Sequence, residues 1–134
     1  MFENVSNNAI DENTRMVPNS PYASGKHENH KTVLKLSKEF NWNIVSGIMF
    51  NHESEFRENA YLIKKIINSA DKISKKQMSS FQLGSPDYVR DWSFAGDVVN
   101  AAFTLIKNNS KGSYVIGSGK GSKILDIVEI VFDS

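Results

Sequence analysis

An α/β fold with parallel strand pairing is predicted by three observations. Two runs are dense in β-branched and aromatic residues, WNIVSGIMF at 42–50 and SYVI at 113–116. Amphipathic runs of helical period precede, separate and follow them, and strands alternating with helices favour parallel pairing through crossovers. The composition is that of a soluble globular chain: 134 residues, 40% hydrophobic and 23% charged, beside a usual charged share of about 25%. Two or three strands make a small sheet, which would leave an apolar face and an edge open. The fold expected is therefore part of a larger one.

The elements follow in order. Residues 1–19 show neither helical nor alternating period and are rich in Asn, so they read as a loop; Met1 and Phe2 are apolar for a free terminus. Ser20 is a good N-cap and Pro21 suits the first helical position, where its missing N–H costs nothing. A helix is predicted over 21–40, with Val33, Leu34, Leu36 and Phe40 as its apolar stripe. Gly25 inside it costs up to ~1 kcal/mol relative to Ala, and a close neighbour, either a cofactor or a packed strand, would account for it. The strand at 42–50 comes next, then the polar loop NHESEFREN. A second helix spans about 60–75 with Leu62, Ile63, Ile66, Ile67 and Ile73 inward. Residues 81–83 read as a short extended piece, and Gly84, Ser85 and Pro86 as a turn. Arg90, Asp91 and Trp92 end that loop. Ser93 is placed as cap of a third helix, about 94–107, with Ala95, Val98, Val99, Ala102, Phe103 and Ile106 inward. Gly112 breaks it. The strand at 113–116, the turn GSGKGS and a last helix from about Ser122 complete the chain.

A net charge of +1 supplies no field for nucleic acid or an anionic membrane. No apolar run reaches the ~18 residues of a membrane span. The polar, acidic start is not a signal peptide. With no cysteine, disulfides and thiolate metal sites are excluded, and a reducing, cytoplasmic setting is expected.

The first candidate site is SPYASGK at 20–26. Four residues on a helix amount to ~6 Å of rise and nearly one turn, so Tyr22 and Lys26 leave the same face. An ammonium beside a phenol favours the phenolate, which suits the pair to acid–base work and the Lys to ribose hydroxyls. The plain alternative is a solvent-exposed pair at a helix start. GSGKGS (117–122) lacks the Ser/Thr that must follow Gly-Lys in a phosphate loop, because Gly121 follows Lys120; it reads as a strand-to-helix turn capped by Ser122. His27-Glu28-Asn29-His30 offers two His at i, i+3 without a third ligand and reads as a solvated face, so no metal is expected.

Three further strings accompany SPYASGK in fixed order: IMFNHESEFR, with Arg57 as its last residue, then KKI, then LGSPDYVRDW. Together they resemble the extended short-chain dehydrogenase/reductase superfamily, and within it the GDP-mannose 4,6-dehydratases, whose pattern is SPYAxxK, ILFNHESPRR, RKI and LGNLDxxRDW. YVIGSG and ILDIVEIVF look like the next strand and helix, so the resemblance covers almost the whole chain. It implies a partial Rossmann-like fold: the C-terminal half of the parallel sheet with flanking helices, plus part of the substrate domain. The expected layout is one partial domain, with a loop at 1–19, the catalytic helix and strand at 20–50, and the substrate-binding region and remaining sheet elements at 51–134.

The resemblance also implies roles. Tyr22 would be the base that takes the sugar 4-hydroxyl proton as hydride leaves C4 for NADP. Lys26 would tune it and hold the nicotinamide ribose, and both would contact the cofactor. His52 and Arg57 match positions that contact NADP. Asn51, Lys65 and Arg90 match positions that hold the nucleotide-sugar, the two cations suiting its diphosphate. Taken singly, Arg90 with Asp91 could be a local ion pair, Lys65 a solvated helix residue and Asn51 a turn residue. The resemblance further implies GDP-mannose as substrate and a homo-oligomeric assembly.

The chain departs from the pattern where Glu55 and Phe56 stand for the family's Pro-Arg. That alters the cofactor loop and any neighbour-subunit contact made through it. The Gly-rich βα turn for a dinucleotide pyrophosphate, the Ser/Thr-x-Glu that precedes the Tyr, and the C-terminal substrate region are not among these residues. The expectation is a chain truncated at both ends and inactive alone. The alternatives are a nucleotide-sugar epimerase or reductase of the same superfamily, a non-catalytic nucleotide-sugar-binding or interaction module, and a fragment that folds poorly by itself.

Overall fold

The computed structural model describes residues 9–134. Residues 1–8 of the predicted loop, Met1 and Phe2 included, lie outside them. The element order is α1 (Pro21–Glu39), β1 (Val45–Met49), β2 (Asn51–Glu53), α2 (Leu62–Ser74), β3 (Val89–Phe94), α3 (Ala95–Lys107), β4 (Gly112–Ile116), β5 (Gly121–Lys123) and α4 (Ile124–Phe132). The chain forms two compact units. One takes the stretch up to Met49 together with Asp97–Ile116, the other Phe50–Gly96 with Gly117–Ser134.

In the first unit α1 starts as its sequence dictates. Ser20 is extended, its Oγ accepts the Ala23 N–H at 3.2 Å, and Pro21 takes the first turn. The helix stops at Asn41, whose φ of 51° is left-handed. The strand predicted over 42–50 is shorter because its start serves the helix end: Trp42 N–H bonds the Ser37 carbonyl, and Ser37 Oγ donates to the Trp42 carbonyl. β1 pairs in parallel with β4, from Val45 opposite Gly112 to Met49 opposite Ile116, and α1 packs across both strands. Glu12 Oε1 accepts the Val115 N–H at 2.7 Å, so a side chain satisfies that donor of β4. The inward face predicted for α3 holds for Val98, which is buried. Val99, Phe103 and Ile106 are each 66% exposed. They form one i, i+4, i+7 stripe on a helix that is apolar around more of its circumference than the described residues bury.

The second unit holds a three-stranded sheet in the order β2-β3-β5. β2 and β3 are parallel, whereas β3 and β5 are antiparallel, a pairing the alternation rule does not foresee. Arg90, Asp91 and Trp92, expected at the end of a loop, lie within β3. Ser93 is not a cap but a strand residue opposite His52. Ser122, expected to cap the last helix, instead pairs with Arg90 in β5. The cap position of α4 falls to Lys123, whose N–H bonds Asp126 Oδ2 at 2.9 Å. Close approach explains the shift: a Cβ on Gly121 would sit 2.7 Å from Val89 Cγ1, so glycine lets the short strand close on β3. Residues 81–83 lie in no strand; the Phe81 ring stacks on Phe132 at 5.8 Å. Ile66, from the predicted stripe of α2, is fully buried, and α2 packs on α4.

Candidate functional site

Helix pitch alone sets the first pair. Tyr22 and Lys26 leave α1 one turn apart, with Lys26 Nζ 5.6 Å from the Tyr22 ring centroid. Tyr22 is 75% exposed. Gly25, in the same turn, was expected to face a close neighbour. A Cβ there would meet no heavy atom within 4 Å.

The same helix is docked by a histidine. His30 Nδ1 lies 2.8 Å from Ser46 Oγ on β1, and its Nε2 lies 3.5 Å from Ser113 Oγ on β4. Burial, and next the charge of His27, pushes its pKa below the ordinary 6.5. His30 therefore belongs to the helix–sheet contact and not to a solvated face. His27 Nδ1 is buried without a hydrogen-bond partner among the described residues.

The second group is set by strand register. Asn51 stands opposite Trp92, and Arg90, two residues earlier on β3, opposite Ser122. Paired residues share a face and alternate ones do too, so Asn51, Trp92 and Arg90 lie on one face of the sheet. His52, Ser93 and Asp91 lie on the other. His52 Nδ1 is 3.0 Å from the Phe50 carbonyl. A carbonyl only accepts, so Nδ1 carries a proton and Nε2 is the nitrogen left for a ligand.

The cations are engaged to different degrees. Arg57 Nε lies 3.1 Å from Glu53 Oε2, a charge pair without straight hydrogen-bond geometry. Its guanidinium covers the Tyr61 ring at 3.7 Å. A cavity of about 520 Å³ opens beside it, lined also by Ser54, Lys64, Ser93 and Phe94. Lys65 Nζ donates to the Gln82 carbonyl at 2.8 Å. Arg90 Nη1 donates to the Val89 carbonyl at 2.8 Å, and its guanidinium stands 5.2 Å from the Tyr88 ring centroid. Each of these side chains keeps further donors. The structure thus joins Tyr22 with Lys26 in the first unit, and sets Asn51 and Arg90 on one face of the sheet in the second, where His52, Arg57 and Lys65 also belong.

Asp91 was missed by sequence reasoning beyond a possible pairing with Arg90. Its Oδ1 accepts the Ser118 N–H at 2.9 Å and the Ser118 hydroxyl at 2.8 Å, and its Oδ2 accepts the Gly119 N–H at 2.9 Å. Gly119 has a φ of 73°, and a Cβ on Gly117 would come within 2.8 Å of Asp91 Oδ2 and 2.7 Å of the Phe50 ring. Successive N–H groups of such a turn form an anion nest. GSGKGS has that property, and the anion it holds is the chain's own carboxylate.

The profile of the family described as GDP-mannose 4,6 dehydratase matches residues 1–134. The chain belongs to that family. It is similar to the GDP-mannose 4,6 dehydratase of Drosophila melanogaster, 35% identical over 98% of this chain and 33% of that protein. The Homo sapiens enzyme of the same name is 35% identical over 90% of this chain and 32% of its own length. The chain thus spans about a third of the curated relatives it matches. Among solved structures it superposes on RMD from Pseudomonas aeruginosa complexed with NADPH, with a TM-score of 0.90 and 23% identity, covering 98% of this chain and 47% of that one. A dTDP-glucose 4,6-dehydratase from Bacillus anthracis in complex with NAD gives 0.85 and 20% identity over 98% and 42%. At these identities the structures establish the mixed α/β, Rossmann-like fold, with parallel strands and flanking helices. Among the described residues no helix is long and apolar enough to cross a membrane, and no group of three His, Asp or Glu side chains could hold a metal.

Proposed function

We propose that these residues form the Tyr–Lys half and the nucleotide-sugar face of an NADP-dependent GDP-mannose 4,6-dehydratase, working as part of a cytoplasmic homo-oligomer. The observation that carries the reading is the Tyr22–Lys26 pair at the capped start of α1, beside the open space at Gly25. Tyr22 Oη takes the proton of the sugar 4-hydroxyl, and the Lys26 ammonium stabilises the phenolate and holds ribose hydroxyls. Lys65 and Arg90 bind the diphosphate through donors not used inside the chain, and Asn51 hydrogen-bonds the nucleotide-sugar beside Arg90. His52, through Nε2, and Arg57 would hold the cofactor. Bound NADP supplies the chemistry of accepting hydride from C4 and returning it at C6, with water lost across C5–C6 in between.

Arg57 fits this role less well than His52, because Glu53 and Tyr61 already engage it and Glu55 adds negative charge nearby in sequence. A polypeptide of these 134 residues alone is expected to bind GDP-mannose without converting it, since it contains no Gly-rich dinucleotide turn and no dehydrating Ser/Thr-x-Glu before Tyr22. Titration calorimetry with GDP-mannose, paired with product analysis, tests both parts. Saturable binding that Arg90→Ala weakens at least tenfold, with no 4-keto-6-deoxy product, is the expected result. Absence of binding at millimolar GDP-mannose refutes the substrate assignment, and turnover by the isolated chain refutes its inactivity.

A further inference from the structure

We infer that Tyr88 and Arg90 form a seat for the nucleotide half of the ligand, in which the exposed Tyr88 ring stacks on the base and the Arg90 guanidinium takes the diphosphate. The inference rests on the nucleotide-sugar reading above and adds to it a residue to which the resemblance gives no role: Tyr88 occupies a variable position of LGSPDYVRDW. A core function does not explain this residue, which is 58% exposed. Its backbone is nonetheless held. The Tyr88 carbonyl accepts the Ile124 N–H at 3.1 Å, and the Pro86 carbonyl accepts the Leu125 N–H at 3.0 Å, so the segment is pinned to the start of α4. Between them, Asp87 Oδ1 lies 3.6 Å from Lys123 Nζ, and the next residue opens β3.

An aromatic ring carried on an ordered backbone binds at low entropic cost, because only two side-chain torsions remain to be fixed. Arg90 follows two residues later on β3, and its guanidinium stands 5.2 Å from the Tyr88 ring centroid. A π-face and a planar five-donor cation held together match a base and a diphosphate joined by a ribose. Asn51 and Trp92 continue the same face. Asp91, turned the other way, is tied to residues 118 and 119, which fixes the strand that presents Arg90.

The test is calorimetric titration of the 134-residue chain with GDP-mannose, GDP and inorganic pyrophosphate, with melting followed by circular dichroism for every variant. Tyr88→Ala is expected to weaken GDP-mannose and GDP about tenfold or more, in line with the usual worth of base–aromatic stacking, and to leave pyrophosphate unchanged. Tyr88→Phe, which keeps the ring, should stay within about twofold of the parent. Arg90→Ala should weaken all three ligands. If Tyr88→Ala does not fold, Tyr88→Leu serves the same purpose, because it keeps apolar bulk and lacks a π-face. Unchanged GDP binding in Tyr88→Ala or Tyr88→Leu overturns the inference and leaves the nucleotide-sugar reading standing. Equal losses for GDP and pyrophosphate in that variant also overturn it, since the ring would then only prop the guanidinium. A parent chain that binds neither GDP nor GDP-mannose sinks the reading and the inference together.

Discussion

Helix α1 and strand β3 each present a pair of polar side chains, and they do so by different means. On α1, Tyr22 and Lys26 are brought together by pitch: one turn, one cap and one proline suffice, and every determinant lies within seven residues. On β3, Arg90 and Asp91 are neighbours in sequence and are sent to opposite faces. Their placement depends on β2, on β5 and on the Ser118–Gly119 turn. The helical pair is a local device, and the strand pair is an assembled one. A local device should survive damage elsewhere in the fold, whereas an assembled one should fail as a set.

That contrast can be broken experimentally, and the largest effect is expected on the strand. Asp91→Ala leaves the Ser118 and Gly119 N–H groups without their acceptor, and hydrogen bonds to a charged group are worth about 1.5–3 kcal/mol. We expect about 2 kcal/mol of stability to be lost in denaturant titration, together with weaker GDP-mannose binding. An Asp91→Ala chain that binds as the parent does would show that Arg90 needs no tether. Ser20→Ala should cost about 1 kcal/mol, the usual worth of an N-cap, and should leave Arg90-dependent binding untouched; loss of that binding would mean the two devices are coupled. Glu53→Gln separates Arg57 from its partner. The pair is part-exposed and only moderately aligned, so about 0.5 kcal/mol is expected, and a markedly larger cost would make Arg57 a structural anchor.

The subtlest expected effect is one of pH. His30, set between Ser46 and Ser113, has its pKa pushed below 6.5 by burial and next by the charge of His27. The folded state then binds fewer protons than the unfolded chain, so stability falls as pH drops through 6.5 towards the lower folded value, and recovers above it. Melting temperatures at pH 7.5 and 5.5 should differ by more in the parent than in His30→Gln. Identical slopes in the two proteins would remove His30 from the docking of α1.

Much of the fold was legible where local rules govern. Ser20 and Pro21 announced the start of α1, and the stripe containing Ile66 announced the buried face of α2. Legibility failed where one residue could serve two ends. Ser93 and Ser122 are both good caps, yet both lie in strands, because Gly121 lets β5 close on β3 and cross-strand hydrogen bonds outbid a cap. The exposed stripe of α3 failed differently, since periodicity reports which residues are apolar and not which of them find cover.

The sequence by itself determined the Tyr22–Lys26 pair and the family, because helix pitch is a property of consecutive residues and the motifs survive as strings. Only the tertiary structure decided that Asn51, Trp92 and Arg90 share a face, that Asp91 fills the glycine turn, and that His30 docks a helix. Each of those facts joins residues far apart in the chain, and register and burial are set by which distant backbone comes to lie alongside.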